Sequence, residues 1–324
     1  MKATVVRNGE MFWDDVPTPS PGPGEVRIKV AATACNRADL LQRRGLYPPP
    51  EGATEILGLD ASGVIDAIGE NVDQWDVGDP VCALLAGGGY AEYVVTPASV
   101  VLPVPDRVRL IDAAAIPEVF FTAYVNLFVE GELKTSESAL IHAAASGVGT
   151  AAVQLCKARG ITVYGTASGQ KLDFLERLGI DAAIDRNEED FSARVADLTE
   201  HQGVDLILDP VGGDYLSRNL HLLADQGRLV IIGLLGGAEG ELPLGRLLRK
   251  RLKIIGSVLR SRSLEEKARL TAAVRKDLWP LFADGSVQPI IDQRLPIQEA
   301  NHAHELLRKN QTIGKVLLVV DDSL

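Results

Sequence analysis

Residues 140–157 read LIHAAASGVGTAAVQLCK, and the fold of the whole chain turns on them. Ala139, Leu140 and Ile141 make a short apolar strand, small residues fill 143–149, and Val148, Ala152 and Leu155 then recur at helical spacing. The order predicted is strand, tight turn, helix. Such a turn lets a diphosphate approach the backbone and rest on the unpaired N–H groups and positive dipole end of the helix. The strict Gly-x-Gly-x-x-Gly spacing is absent, because Ala143, Ser146 and Gly149 form an Ala-x-x-Ser-x-x-Gly version. Taken alone, the stretch also suits a strand-to-helix turn that binds nothing.

The residues that follow favour the dinucleotide. Strands are predicted at 161–166, 182–185, 204–209, 228–233 and 253–258. Between them lie a helix at 171–178 with Leu172, Leu175 and Leu178 on one face, a helix at 191–198, a Gly212–Gly213 turn and a helix at 215–223. Repeated alternation of this kind predicts an α/β fold with a doubly wound parallel sheet. Ligands of such sheets collect at the carboxyl ends of the strands.

The preceding residues read mostly as strands, at 2–6, 25–31, 61–68, 80–85 and 91–95, separated by turn clusters at 21–24, 69–73 and 87–89. This half is β-rich, with one short helix at 38–44 and a proline-bearing loop, LYPPPEGATE, at 46–55. Residues 110–129 are apolar and helical and carry the chain from one domain to the other. Helix returns at 264–282. The tail, 290–320, holds a strand, an amphipathic helix with Ala300, Ala303, Leu306 and Leu307, and a last strand at 315–320 that rejoins the first domain. The boundaries expected are 1–122, 123–282 and 283–324, the last a return to the first domain.

Composition narrows the function. A chain of 324 residues has room for two ordinary cores, and 46% hydrophobic with 24% charged residues is typical of a soluble globular protein. A net charge of −11 argues against nucleic acid or an anionic membrane as partner. Three scattered cysteines, Cys35, Cys82 and Cys156, exclude a disulfide framework and a Cys-rich zinc lobe. The N-terminus lacks the apolar core of a signal peptide, and the apolar runs read as broken before membrane-spanning length, so a cytoplasmic setting is expected. The five histidines show no ligand spacing: His302 and His304 diverge on a helix, and His142 at a strand end reads as a structural hydrogen-bonder.

Six passages in order, CNRADLLQRRGLYPPP (35–50), ILGLDASGVI (56–65), GGGYAEYVV (87–95), AAAIPEVFFTAY (113–124), HAAASGVGTAAVQL (142–155) and LILDPVGG (206–213), carry a family likeness over nearly the whole chain. The chain resembles the zinc-free quinone oxidoreductase branch of the medium-chain dehydrogenase/reductase superfamily. That resemblance implies a Rossmann domain inserted into a GroES-like catalytic domain, with the nicotinamide between them. It also implies NADPH as cofactor, a quinone as acceptor and a homodimer, the strand at 253–258 pairing with its twin.

Where the superfamily's zinc alcohol dehydrogenases place their first zinc cysteine this chain aligns Asn36, and where they carry Gly-His-Glu it has Gly58, Leu59 and Asp60. Pro117 and Glu118 fall at the third ligand region, and the four-cysteine lobe is missing. Zinc wants thiolates or imidazoles in a tetrahedral set, so no metal is expected. Hydride addition to a simple ketone builds a localised alkoxide that needs a Lewis acid or proton donor. Addition to a quinone spreads the charge over a ring, leaving the protein to hold donor and acceptor together.

The residues expected at the site follow. Ser146, Gly147, Val148 and Gly149 surround the diphosphate, with Ser146 equally a helix N-cap. After the second strand, GTASGQK at 165–171 holds no acid to bind a ribose 2′-hydroxyl. Thr166 and Ser168 join the cofactor set there, and Lys171 and Arg186 are expected to neutralise the 2′-phosphate of NADPH, although relatives commonly carry tyrosine at the position of Arg186. By resemblance Asn36 orients the nicotinamide by hydrogen bonding and Tyr47 forms an aromatic wall, while by residue type alone each is loop structure. Thr122, Gly233, Leu235, Leu259, Arg260 and Lys315 complete the set implied by the resemblance. Two rival functions stay open: NADPH-dependent reduction of enones, alkenals or enoyl thioesters, and NADPH binding with little turnover.

Overall fold

A computed structural model describes residues 1–324. The chain forms two compact units, residues 1–121 with 259–324, and residues 122–258.

The first unit begins with β1 (Lys2–Arg7) and β2 (Glu10–Asp15), an antiparallel hairpin. Its turn residues Asn8 and Gly9 both have positive φ, 50° and 78°, the pair that a two-residue hairpin turn demands. β2 is a strand beyond those expected from periodicity, and the Asn8-Gly9 pair is its signal in the sequence. Then come β3 (Glu25–Ala34), α1 (Arg37–Arg43), β4 (Asp60–Ile68), β5 (Pro80–Leu84), β6 (Tyr93–Pro97) and β7 (Val101–Pro103). Along β3 the apolar Val26, Ile28 and Val30 alternate with Arg27 and Lys29, and the apolar face meets Ile65, Val81 and Val94 in a buried core.

Helix α2 (Pro117–Tyr124) follows a 3₁₀ turn and runs on into a π-helical turn at Val125–Glu130. Here the structure corrects the expectation that apolar runs stop short. Residues 112–130 form one helical run, long and apolar enough to cross a membrane by length and composition, yet most of it is buried inside the protein. Pro117 is tolerated within it because the α-helical part begins there, after the 3₁₀ turn, and the first position of an α-helix needs no N–H donor.

The second unit holds β8 (Ser138–Ile141), α3 (Gly147–Ala158), β9 (Thr162–Ala167), α4 (Leu172–Arg177), β10 (Ala182–Asp185), α5 (Phe191–Leu198), β11 (Val204–Asp209), α6 (Gly213–Leu222), β12 (Leu223–Ile231), α7 (Leu244–Arg249) and β13 (Lys253–Gly256). Its strands form one six-stranded parallel sheet in the order β10-β9-β8-β11-β12-β13. Strand order reverses between β8 and β11, the doubly wound arrangement in which ligands settle beyond the carboxyl ends at that reversal. Leu140, Ile207 and Leu229 on the central strands are fully buried, as a parallel sheet covered on both faces requires.

The chain then supplies α8 (Leu264–Asp284), β14 (Ile291–Pro296), α9 (Ala300–Arg308) and β15 (Lys315–Val319) to the first unit, where β15 pairs with β3. Helix α8, expected up to residue 282 in the dinucleotide half, belongs to this unit instead. The Phe282 ring meets Phe120 edge-on at 4.9 Å, and the Trp279 indole donates to the Pro103 carbonyl at 3.0 Å. Helical periodicity reveals that one face is buried but not what covers it.

Candidate active site

The turn after β8 is tightly built. Ala143 sits in left-handed conformation at φ 50°, and the Ser146 hydroxyl caps α3 by accepting the Gly149 N–H at 3.0 Å. A Cβ on Gly149 would stand 2.4 Å from the Ala143 carbonyl oxygen and 2.5 Å from that of Ala144, so only glycine lets the helix approach so closely. The next donors, Gly147 and Val148, have no acceptor within the protein. Unpaired N–H groups at the end of a twelve-residue helix fit the diphosphate of a dinucleotide.

Behind this turn a buried network fixes the strand ends. His142 Nε2 lies 2.8 Å from the Asn219 side-chain oxygen, and Nδ1 lies 3.0 Å from the Thr166 hydroxyl. The Asn219 amide in turn donates to Asp209 at 3.0 Å. An amide oxygen only accepts, so Nε2 carries the hydrogen and Nδ1 accepts from Thr166. Burial holds His142 neutral, with a pKa lowered to about 4. Burial also pushes Asp209 up to about 6, against the Val211 and Gly212 N–H groups that it accepts. His142 is thus the structural hydrogen-bonder its position suggested. Thr166, expected to touch the cofactor, is buried with its hydroxyl engaged by His142.

Other expected residues of this unit gather along the same carboxyl edge. Ser168 precedes the 3₁₀ turn Gly169–Lys171 beyond β9, and Arg186 follows β10, exposed to solvent. Beyond β12, a Cβ on Gly233 would stand 2.8 Å from the Pro210 carbonyl oxygen, and Leu235 is 59% exposed. Thr122 lies in α2, apart from these loops in sequence, with its carbonyl accepting from Asn126 at 2.7 Å. One residue of this edge lies outside the expected set: Asp185, at the end of β10, reaches over Gly169.

In the first unit Asn36, Asp60 and Lys315 meet. The Asn36 amide donates to Asp60 Oδ2 at 2.8 Å and to the Ala34 carbonyl at 3.2 Å, and its oxygen accepts from the Lys315 ammonium. Lys315 Nζ also lies 3.1 Å from Asp60 Oδ2, and Asp60 Oδ1 accepts the Glu118 N–H at 2.7 Å. Both amide hydrogens of Asn36 are therefore taken up within the unit, and it orients Asp60 and Lys315 rather than offering a donor outward. Lys315, expected among cofactor contacts, is buried in the same cluster. Burial lowers its pKa, but Asp60, Glu118 and Asp39 outweigh that and leave it raised.

Beside this cluster Asp39 accepts the Asn36 N–H at 2.8 Å and the Tyr90 hydroxyl at 3.3 Å. Burial pushes its pKa up to about 6. The Tyr90 hydroxyl also lies 3.0 Å from His304 Nε2, a ring that burial keeps neutral, its pKa lowered to about 3. Zinc does not fit these donors. An ammonium already stands between Asn36 and Asp60, and no three His, Cys, Asp or Glu side chains converge. Burial pushes the neighbouring Cys35 thiol up to about 12, which keeps it protonated.

Tyr47 and Arg260 are brought together by contacts of Arg260 with two loops. Its guanidinium donates to the Ala86 carbonyl at 2.7 and 2.9 Å and to the Gln42 side chain at 2.8 Å, and it lies 5.2 Å from the Tyr47 ring centroid. Arg260, expected at the nicotinamide, clamps the Tyr47 loop through these contacts. Leu259, just before it, is the first residue of the return to this unit and is partly buried.

Comparison with known proteins agrees with this architecture. The alcohol dehydrogenase GroES-like domain family matches residues 22–106, and the zinc-binding dehydrogenase family matches residues 147–274. The chain is 33% identical to the Rattus norvegicus synaptic vesicle membrane protein VAT-1 homolog, over 93% of this chain and 78% of that one. The Danio rerio homologue is 38% identical over 55% of this chain, a match that spans only 37% of its own length. A quinone oxidoreductase from Pseudomonas syringae pv. Tomato DC3000 superposes with a TM-score of 0.89 at 30% identity, covering 98% of this chain and 99% of that one. A mycobacterial protein solved with NADPH gives a TM-score of 0.89 at 28% identity, covering 99% and 100%. The JamJ enoyl reductase gives 0.88 at 26% identity, covering 98% of each chain.

Fold, motifs and relatives define an oxidoreductase in which the residues of a Rossmann-type parallel sheet interrupt, in sequence, those of a GroES-like unit. The chain belongs to the zinc-free, quinone oxidoreductase-like branch of the medium-chain dehydrogenase/reductase superfamily.

Proposed function

We propose that this protein is an NADPH-dependent quinone oxidoreductase that works without a metal. The Lys315 ammonium, lodged between Asn36 and Asp60 where zinc-dependent relatives align two ligands, carries the proposal. A site built on this cluster favours an acceptor whose reduced form disperses its own charge. Bound NADPH supplies the hydride. The Ser146–Gly149 turn holds its diphosphate, Lys171 and Arg186 answer its 2′-phosphate, and Tyr47 gives an aromatic wall for a planar acceptor. The NADPH complex of the mycobacterial neighbour supports this cofactor. A cytoplasmic homodimer belongs to the same proposal. Strand β13 is the outermost of its sheet and mostly exposed, which leaves backbone groups for a twin to pair with.

Enoyl reductases among the structural neighbours support a second function, hydride delivery to an activated alkene. NADPH consumption measured with a quinone and with an alkenal separates the two. The quinone is expected to be preferred, and a preference of about a hundredfold for the alkenal would overturn the first proposal. NADPH binding without repeated turnover on either acceptor would point to a binding role.

A further inference from the structure

We propose that Asp185 narrows the preference of this site for NADPH over NADH, by accepting the adenosine ribose 2′-hydroxyl of NADH and opposing the 2′-phosphate that Lys171 and Arg186 attract. This rests on the nucleotide site assigned above. In doubly wound dehydrogenases the acid that binds the ribose stands about twenty residues after the glycine turn. Here that stretch, GTASGQK at 165–171, contains none. The neighbouring strand provides one. β10 runs parallel to β9 with Asp185 in register with Ala167, and the Arg186 N–H donates to the Ala167 carbonyl at 2.9 Å.

The Asp185 carboxylate is held in place. Oδ1 accepts the Asn187 N–H at 2.9 Å, while Oδ2 extends over the next loop, so that a Cβ on Gly169 would stand 2.2 Å from it. Its own N–H donates to Glu189 at 3.0 Å, which brings a second acid nearby, itself 3.7 Å from Arg194. Lys171 and Arg186 thus share the end of β9 with a carboxylate. A 2′-phosphate placed there gains from the two cations and loses to Asp185, whereas a ribose diol finds an acceptor. Removing the charge at this residue should move the two nucleotides in opposite directions, which general damage to the fold would not do.

Asp185→Asn keeps the Oδ1 acceptor for Asn187 and removes the charge. Dissociation constants come from nucleotide fluorescence titration of the whole protein without acceptor. Charge-assisted contacts of this kind predict NADPH binding about three- to tenfold tighter and NADH weaker by about the same factor. Gly169→Ala, whose methyl group displaces the carboxylate, should shift the ratio in the same direction. Unchanged or equally changed affinities in Asp185→Asn would overturn the role of Asp185 while leaving the nucleotide site intact. Failure of the unaltered protein to bind either nucleotide would overturn both.

Discussion

The ammonium of Lys315, on the last strand, lies 3.1 Å from Asp60 Oδ2 on β4, with the two side chains 4% and 0% exposed. Asp60 in turn receives the Glu118 N–H at the start of α2, and Asn36 at the start of α1 bonds to both ionic partners. One buried cation thereby ties together four elements distant in sequence. Removing one partner of a buried ion pair leaves the other uncompensated. Lys315→Met should lower stability by about 3–5 kcal/mol, and adding Asp60→Asn should recover part of the loss. Urea unfolding of the single and double variants checks this; equal instability of both would show that charge pairing is not what holds the cluster.

The same cluster predicts indifference to chelation. Quinone reduction is expected to keep its rate after dialysis against EDTA, with no zinc retained by elemental analysis after dialysis from a zinc-containing buffer. A tenfold loss of rate restored by zinc would contradict it.

His142 gives the nucleotide-binding unit an identifiable dependence on acid. Its folded pKa, about 4, lies below the ordinary 6.5, so the unfolded chain takes up a proton first as pH falls. The stability that this ring contributes is present above pH 6.5 and is lost as pH falls toward 4. Asp39 and Asp209, both raised to about 6, act oppositely: the folded chain protonates them first, so their contribution is lost as pH rises through 6. Because these effects overlap, the test is differential. The stability gap between the unaltered protein and His142→Gln should narrow from pH 7 to pH 4.5, and a constant gap would exclude the assigned protonation state.

Gly149→Ala forces a Cβ to within 2.4 Å of the Ala143 carbonyl oxygen. Overpacking of this kind costs about 1–3 kcal/mol. Because α3 must also retreat from the turn, affinity for NADPH should fall more than tenfold. Ser146→Ala removes only the cap and should cost about 1 kcal/mol. Thermal unfolding and nucleotide titration together distinguish the two.

Arg260→Ala removes the contacts to Ala86 and Gln42 and the cation face against Tyr47. The loop at 46–55 should become the first site of cleavage in limited proteolysis, and KM for the quinone should rise more than kcat falls. Unchanged cleavage would show that the prolines alone stiffen this loop.

Much of this was legible in local pattern. Alternation of strand and helix, the small residues at 143–149 and the amphipathic tail helix are set by period and by Cβ sterics, which act over a few residues. The doubly wound sheet, the inserted arrangement and the cap at Ser146 therefore follow from sequence. What the sequence left open depends on contacts between distant segments. Periodicity could not tell that α8 packs on Phe120, because an apolar stripe is satisfied by any apolar partner. It could not show that the 112–130 run is covered by protein. Residue type marked Asn36, Lys315 and Arg260 as polar groups near a site, but hydrogen bonds across 279 residues in one case and 174 in another decided where their donors go. Asp185 carries no local signal, because it belongs to the third strand of its sheet in chain order and reaches the loop after the second only when the two lie side by side. Local sequence determined which elements form and which turn has the shape to suit a dinucleotide. Tertiary packing alone decided which side chains remain free to meet it, because burial obliges every polar group to find its partner wherever in the chain that partner lies.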